Sequence, residues 1–321
     1  MDETLAKKRA MRNPKRGKKQ PITWTLIKNQ KQLIMMSVPL MLYIILFAYV
    51  PVWGWTMAFQ DYKPARDFGQ QTWVGLKHFK FLFTDDNFLR VLRNTVGMSL
   101  INLVLGFVTA IILALLLNEI KKVFWKRTVQ TISYLPHFLS WIIVTGIVAT
   151  SLASDGIIND LLMKLQIIQE PILWLSEGKY FWGIVGGSHV WKEVGWNTII
   201  YLAAIASIDP ALYEAAEIDG ASRYRKMLHV TLPGIKATIV ILLIMSIGHI
   251  LEAGFEVQYL LGNGLVVDWA ETIDIFVLKY GIAQGNYSMA TAGGIFKTVV
   301  SVTMLLLANW TAKRLGEERL L

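Results

Sequence analysis

No cysteine occurs in the 321 residues, so the chain has neither a disulfide framework nor a thiolate metal site. Charge is scarce too. Asp, Glu, Lys and Arg make up 17% of the chain, against about 25% in an average soluble domain. Hydrophobic residues make up 54% and the mean hydropathy is +0.44, which argues against a soluble protein. The five histidines show no His-Glu-x-x-His or other metal-ligand spacing, and no nucleophile–base pair is readable. There is also no phosphate-binding loop, because neither Gly17-Lys18 nor Gly178-Lys179 has a glycine five residues before its own glycine. ATP is therefore not bound here by that device.

What charge there is lies in clusters. Residues 33–59, 94–118 and 128–154 contain no Asp, Glu, Lys or Arg, and each stretch is 25 to 27 residues long. About 20 apolar residues cross the hydrocarbon of a bilayer, so these three predict spans. Three further stretches are apolar apart from isolated charges: 180–208 with Lys192 and Glu193, 237–261 with Glu252 and Glu256, and 286–312 with Lys297. The chain thus reads as an all-α membrane protein with six transmembrane helices.

Orientation follows from basic residues. Residues 1–32, 119–130, 209–236 and 313–321 carry 21 Lys and Arg, and the loops on the other side carry nine. The positive-inside rule places both termini in the cytoplasm of a multi-pass protein of the cell membrane. The domain plan is a basic cytoplasmic tail over 1–32, a membrane domain over 33–312 and a short cytoplasmic tail over 313–321. The N-terminus does not read as a cleavable signal peptide. Ten basic residues beside the first span fit orientation and lipid headgroups better than nucleic acid.

Along the chain, Pro39 and Pro51 predict a kinked or broken first span. Phe79, Phe81 and Phe83 read as a short interfacial element rather than a strand. Ile157, Ile158, Leu161, Leu162 and Leu165 have helical spacing in an outer loop. Gly183 and Gly187 form a small-xxx-small pair read as packing. His78 and His229 read as surface residues, and His137, after Pro136, as a helix-packing polar group. Interfacial belts explain most of the twelve tryptophans.

One cytoplasmic stretch, 209–236, carries more information. Asp209 can cap a helix with Pro210 at its first position, and alanine and glutamate favour helix through Ile218. Gly220 supplies a break, and Ala221 to Val230 predict a second helix stopped before Pro233. A charged helical hairpin projecting from a membrane protein suits docking on a partner.

These residues resemble the cytoplasmic signature of permeases of binding-protein-dependent ABC importers: Glu-Ala-Ala, three residues, Gly, nine residues, Ile, one residue, Leu-Pro. Here Glu214, Ala215, Ala216, Gly220, Val230, Leu232 and Pro233 fall at that spacing, with valine in place of isoleucine. Asp219-Gly220-Ala221, Trp73-Val74-Gly75-Leu76 and Leu260-Leu261-Gly262-Asn263-Gly264 look like carbohydrate permeases of the maltose type. Tyr49-Val-Pro-Val-Trp-Gly-Trp with Asp61-Tyr62-Lys63-Pro64 looks like the subgroup handling oligosaccharides and polysaccharide fragments. The resemblance covers roughly 33 to 315.

What the resemblance implies is a type I ABC importer permease fold and a mechanism. Two permeases pair, the second being a different chain by the family's habit. Each lays its hairpin into a groove on one of two ATP-binding subunits, which can be a homodimer. An extracellular solute-binding protein delivers the oligosaccharide, and ATP and Mg are used by the partner ATPase. No cofactor or metal is bound by this chain. On that analogy Glu214, Ala215, Ala216, Asp219, Gly220, Val230, Leu232 and Pro233 couple to the ATPase. An ABC permease for a non-sugar solute shares the signature, and a membrane-embedded enzyme or an ion-driven carrier would leave the hairpin unexplained.

Charges inside spans are costly and mark functional candidates. His249, Glu252 and Glu256 at i, i+3 and i+7 predict one helix face. With Trp191, Glu193, Trp196 and Asn197 they form a candidate sugar path, since sugars are held by aromatic stacking and by carboxylates and amides. The competing reading is that these charges pair with each other or with helices of the partner permease, Lys192 or Lys297 with Glu252 then being an intramembrane ion pair. Both stay open on the sequence.

Overall fold

The computed structural model describes residues 30–316. The basic tail before residue 30 and residues 317–321 lie outside the described residues. The described chain up to Gly54 forms one unit and Trp55 onward another.

In the first unit, α1 (Lys31–Ile44) carries Pro39 and runs into a π-type turn at Ile45–Tyr49, then a tighter 3-10 stretch from Val50. The change of winding falls next to Pro51, which lacks an N–H to continue the ladder. The expectation of an irregular first span is met by this change of helix type. None of the α1 side chains is buried.

The second unit begins with a strand pair that the all-α expectation lacks. β1 (Gln60–Asp61) pairs antiparallel with β2 (Thr72–Trp73). Gln71 staples the intervening loop, accepting from Lys63 N at 2.9 Å and donating to the carbonyls of Lys63 and Arg66. Next comes α2 (Lys77–Thr84), so the phenylalanines 79–83 lie on a short helix. His78 on it is buried and not a surface residue, with Nε2 3.1 Å from the Gln60 carbonyl.

Helix α3 (Asp86–Glu119) is the central element, 34 residues capped by Asp85, whose carboxylate accepts from Phe88 N. It begins eight residues before the charge-free stretch, because Asp85 provides the cap and the polar first turns pack on outer loops. The three hydrophobic clusters of the unit draw on α3 residues in turn: Phe88 and Val91, then Met98, then Ala110 and Ala114.

Span three is not one straight helix. Helices α4 (Val123–Phe138) and α5 (Trp141–Ser151) meet at 104°. Pro136 cannot donate to the ladder, Leu139 and Ser140 are extended, and Ser140 caps α5. Helix α6 (Ile157–Lys164) occupies the loop between spans three and four, as its spacing predicts. Helix α7 (Gly178–Ala206) is span four and lies along α3. Gly186 permits this, since a Cβ there would come within 2.6 Å of Ile101, and Thr198 Oγ1 donates to the Ala110 carbonyl. A Cβ at Gly183 or Gly187 would meet nothing within 4 Å among the described residues, so the expected packing pair makes no close contact there.

The hairpin is α8 (Pro210–Ile218) and α9 (Arg223–Gly234), and α10 (Lys236–Gly248) opens span five. The second helix starts two residues later than predicted, at a Ser222 cap, and does not stop before Pro233. A wide π-type turn at Met227–Thr231 opens the backbone ahead of the proline and lets the helix continue through Leu232-Pro233-Gly234.

Span five is broken as well. α10 ends at Gly248, and α11 (Phe255–Leu261) follows Gly254, whose φ of +90° only glycine tolerates without strain. Two amides serve the break: Asn102 Nδ2 and Gln258 Nε2 both donate to the Ala253 carbonyl, at 3.2 and 2.6 Å. Without such partners, backbone exposed in hydrocarbon would cost several kcal/mol per group (roughly). α12 (Val267–Ala270) and α13 (Ile273–Leu278) form the outer connection, and α14 (Tyr287–Arg314) is the last span. By length and composition, three helices among the described residues can cross a membrane, and up to six spans result if each bent pair counts as one.

Candidate functional site

Two places gather the sequence-derived candidates: the hairpin and a cavity between spans.

In the hairpin, Asp209 Oδ1 accepts from Ala211 N at 2.9 Å and Pro210 occupies the first position, as the sequence predicts. Gly220 has φ +74°. Around it Ala221 N donates to the Ala216 carbonyl and Gly220 N to the Glu217 carbonyl, a Schellman-type end that satisfies the last carbonyls of α8. Two cross-links join the helices: Lys226 Nζ to Glu217 at 3.0 Å, and the hydroxyls of Tyr213 and Thr231 at 2.9 Å. The Lys226 ammonium holds the Glu217 carboxyl below its ordinary value, chiefly through that hydrogen bond. Glu214, Ala215, Asp219, Gly220 and Pro233 are exposed; Ala216, Val230 and Leu232 are half-buried. Ile218 at the tip is 88% exposed and Tyr224 is also open, an apolar contribution that the signature spacing does not single out.

The cavity has a volume of about 380 Å³ and lies between α3, α7 and the break in span five. Asn197, His249 and Glu252 line it, together with Ser99, Asn102, His189 and Tyr201. Ser99 Oγ, Asn102 Oδ1 and His189 Nδ1 are buried without a hydrogen-bond partner among the described residues. Unpaired buried polar atoms cost about 1–3 kcal/mol each, so a lining that keeps three of them is suited to a hydroxylated or hydrated guest. Sequence reasoning missed Ser99, Asn102 and His189, because no motif spacing marks them and only the packing of α3, α7 and the span-five break brings them to one space.

The remaining candidates go elsewhere. His249, Glu252 and Glu256 do not share one helix face, because the chain breaks between α10 and α11; Glu256 is exposed on α11, outside the cavity lining. Trp191 is exposed at 42%, as on a face turned to lipid or a partner. Glu193 and Trp196 engage His137: Glu193 Oε2 lies 2.8 Å from Nδ1, and the Trp196 ring stacks on the imidazole at 4.3 Å and 4°. The proposed ion pairs with Glu252 do not form. Lys192 pairs with Glu193 at 3.3 Å, and Lys297 with Asp274 at 2.6 Å.

A family model described as "binding-protein-dependent transport system inner membrane component" matches residues 103–317. The chain belongs to that family. It is a permease subunit of an ABC importer in the inner membrane, a transport component and not an enzyme. It is similar to protein LplB of Bacillus subtilis, 43% identical over 99% of both chains. It is also similar to the polygalacturonan/rhamnogalacturonan transport system permease protein YteP of the same organism, 46% identical over 95% of this permease and 94% of the relative. Among solved structures, a chain of a bacterial alginate ABC transporter in complex with an alginate pentasaccharide-bound periplasmic protein superposes with a TM-score of 0.85. Identity there is 38%, covering 92% of this permease and 99% of that chain.

Proposed function

We propose that this permease is one half of a heteromeric importer for oligosaccharides released from larger polysaccharides. The observation that carries the reading is the hairpin, with its left-handed turn at Gly220 and with Glu214 and Ala215 exposed on α8. The first helix of the hairpin, at 72° to span four and cross-linked to the second, is a lever that a partner can push. On this reading a second permease completes the pathway, and two ATP-binding subunits receive the hairpins at Glu214, Ala215, Ala216, Asp219, Gly220, Val230, Leu232 and Pro233. ATP and Mg²⁺ belong to those subunits. The basic loops put the hairpin and both termini in the cytoplasm.

A solute-binding protein on the outer face hands over the oligosaccharide. Relatives named for polygalacturonan, rhamnogalacturonan and alginate support a sugar cargo. The cavity supports it chemically: amide, hydroxyl, imidazole and carboxylate groups surround a space large enough for part of a glycan, and these are the groups that exchange hydrogen bonds with sugar hydroxyls. Asn197, His249 and Glu252 are the path residues on this reading, joined by Asn102 and His189.

The test is ATP hydrolysis by the complex reconstituted in lipid with its partner permease, its ATPases and the oligosaccharide-loaded binding protein. Loaded binding protein is expected to stimulate hydrolysis, and His189→Leu is expected to weaken transport while leaving the complex assembled. No stimulation by any glycan-loaded binding protein would sink the proposal.

A further inference from the structure

We propose that Lys192, with Glu193, is a positioning residue: an intramembrane latch that sets the bend of span three and links it to what occupies the cavity. The proposal rests on the importer reading above.

The bend leaves backbone groups without helical partners. Leu139 N reaches back to the Pro136 carbonyl, and Ser140 Oγ caps α5 by accepting from Ile143 N. The His137 carbonyl, in the last turn of α4, receives the Lys192 ammonium at 2.6 Å. A cation at the carbonyl end of a helix also meets the negative end of its dipole. Lys192 is 6% exposed, so its charge is held inside the protein rather than snorkelling to an interface.

The neighbouring residue completes the grip. One carboxylate oxygen of Glu193 lies 3.3 Å from Lys192 Nζ and the other 2.8 Å from His137 Nδ1. Two adjacent residues of α7 thus hold both the backbone and the ring of His137. Beside them Gly195 lies so close to the Ser133 carbonyl that a side chain there would collide with it. The contact between α4 and α7 is therefore close as well as charged.

The far side of the bend is tied to the cavity. Trp141, the first residue of α5, lies under the Lys192 ammonium at 5.4 Å and against the His189 ring at 6.3 Å. His189 lines the cavity with an unpartnered Nδ1. A sugar hydroxyl that engages this nitrogen repositions the imidazole against Trp141, and Trp141 starts the helix whose angle the latch fixes. Bend, latch and cavity are thus one contiguous set of contacts with a discrete release: Lys192 leaving the His137 carbonyl.

The experiment compares the assembled complex carrying Lys192→Met, Lys192→Arg or Glu193→Gln with the unmodified one, normalised to assembled complex. It reads the ratio of ATP hydrolysis with and without loaded binding protein. Loss of the latch is expected to lower that ratio by about 5-fold or more, the lower end of a typical coupling factor, with raised hydrolysis in the absence of binding protein. Lys192→Arg keeps a cation within reach of the carbonyl and is expected to retain the ratio. A packing role alone would reduce the amount of complex and leave the ratio unchanged, and that result overturns the proposal. Should Lys192→Met fail to assemble, a normal ratio in Glu193→Gln overturns it equally. If the unmodified complex shows no stimulation, the importer reading itself falls, a result distinct from a stimulated complex indifferent to both substitutions.

Discussion

The hydroxyl of Tyr213 lies 2.9 Å from that of Thr231, joining the first helix of the hairpin to the wide turn of the second. Thr231 is buried and sits one residue before the signature Leu232-Pro233. The signature thus spans two helices held in fixed relation, which is what transmitting a push requires. Replacing Tyr213 by Phe is expected to leave insertion intact and to lower stimulated ATP hydrolysis only modestly. The missing bond is a neutral hydrogen bond worth about 1 kcal/mol. A complete loss of coupling would show that Tyr213 contacts the partner itself.

Gly220 is the sharper test of the same element. A Cβ there meets nothing within 4 Å, so the only penalty is its φ of +74°. That penalty is roughly 1–2 kcal/mol for a side chain in the left-handed region, and more for a β-branched one. Gly220→Ala is expected to be tolerated in part and Gly220→Val to uncouple hydrolysis from transport with the protein still in the membrane. The ordering of the two variants in one ATPase assay checks this.

Lys297 and Asp274 join α14 to α13 at 2.6 Å, with side chains only 19% and 29% exposed. Removing one partner strands the other charge among apolar groups, at a cost of roughly 3 kcal/mol, whereas replacing both is close to neutral. Lys297→Met is expected to lower the thermal midpoint of the detergent-solubilised protein by several degrees. The double variant Lys297→Met/Asp274→Asn is expected to recover most of it. Equal losses in the single and double variants would show that the pair is not coupled.

Glu217 sets the pH response of the hairpin. Its carboxyl is held below the ordinary value by Lys226, so the unfolded state binds its proton more readily. The stabilisation from this pair is therefore complete above the unfolded value of about 4.3 and disappears as the pH falls through the lower folded value. Because the carboxylate is open to solvent, the effect is small and screened by salt. Coupled ATP hydrolysis is expected to be indifferent to Glu217→Gln at neutral pH. A large loss there would point to a direct contact with the ATPase.

Glycine positions separate two kinds of helix contact. Gly195→Val drives a side chain into the Ser133 backbone, so it is expected to destabilise by about 1–3 kcal/mol or to prevent expression. Gly183→Ala and Gly187→Ala meet open space in this chain and are expected to leave its folding unchanged. Fluorescence-detected size exclusion of the three variants distinguishes them.

The sequence by itself determined what depends on neighbours along the chain. Charge-free stretches place spans because crossing hydrocarbon depends on local hydropathy. Asp209, Pro210 and Gly220 place the hairpin because capping and left-handed turns act within a few residues. The tertiary structure decided what depends on which helices meet. The bend of span three puts the His137 carbonyl within reach of Lys192, 55 residues away, and the break at Gly254 carries Glu256 off the face that His249 and Glu252 were expected to share with it. Lys297 pairs with Asp274 and not Glu252, and Gly186 and Gly195 rather than Gly183 and Gly187 make the close helix contacts. Inside a membrane a break or a charge persists only where another helix supplies its partner, and that partner is fixed by packing rather than by sequence spacing.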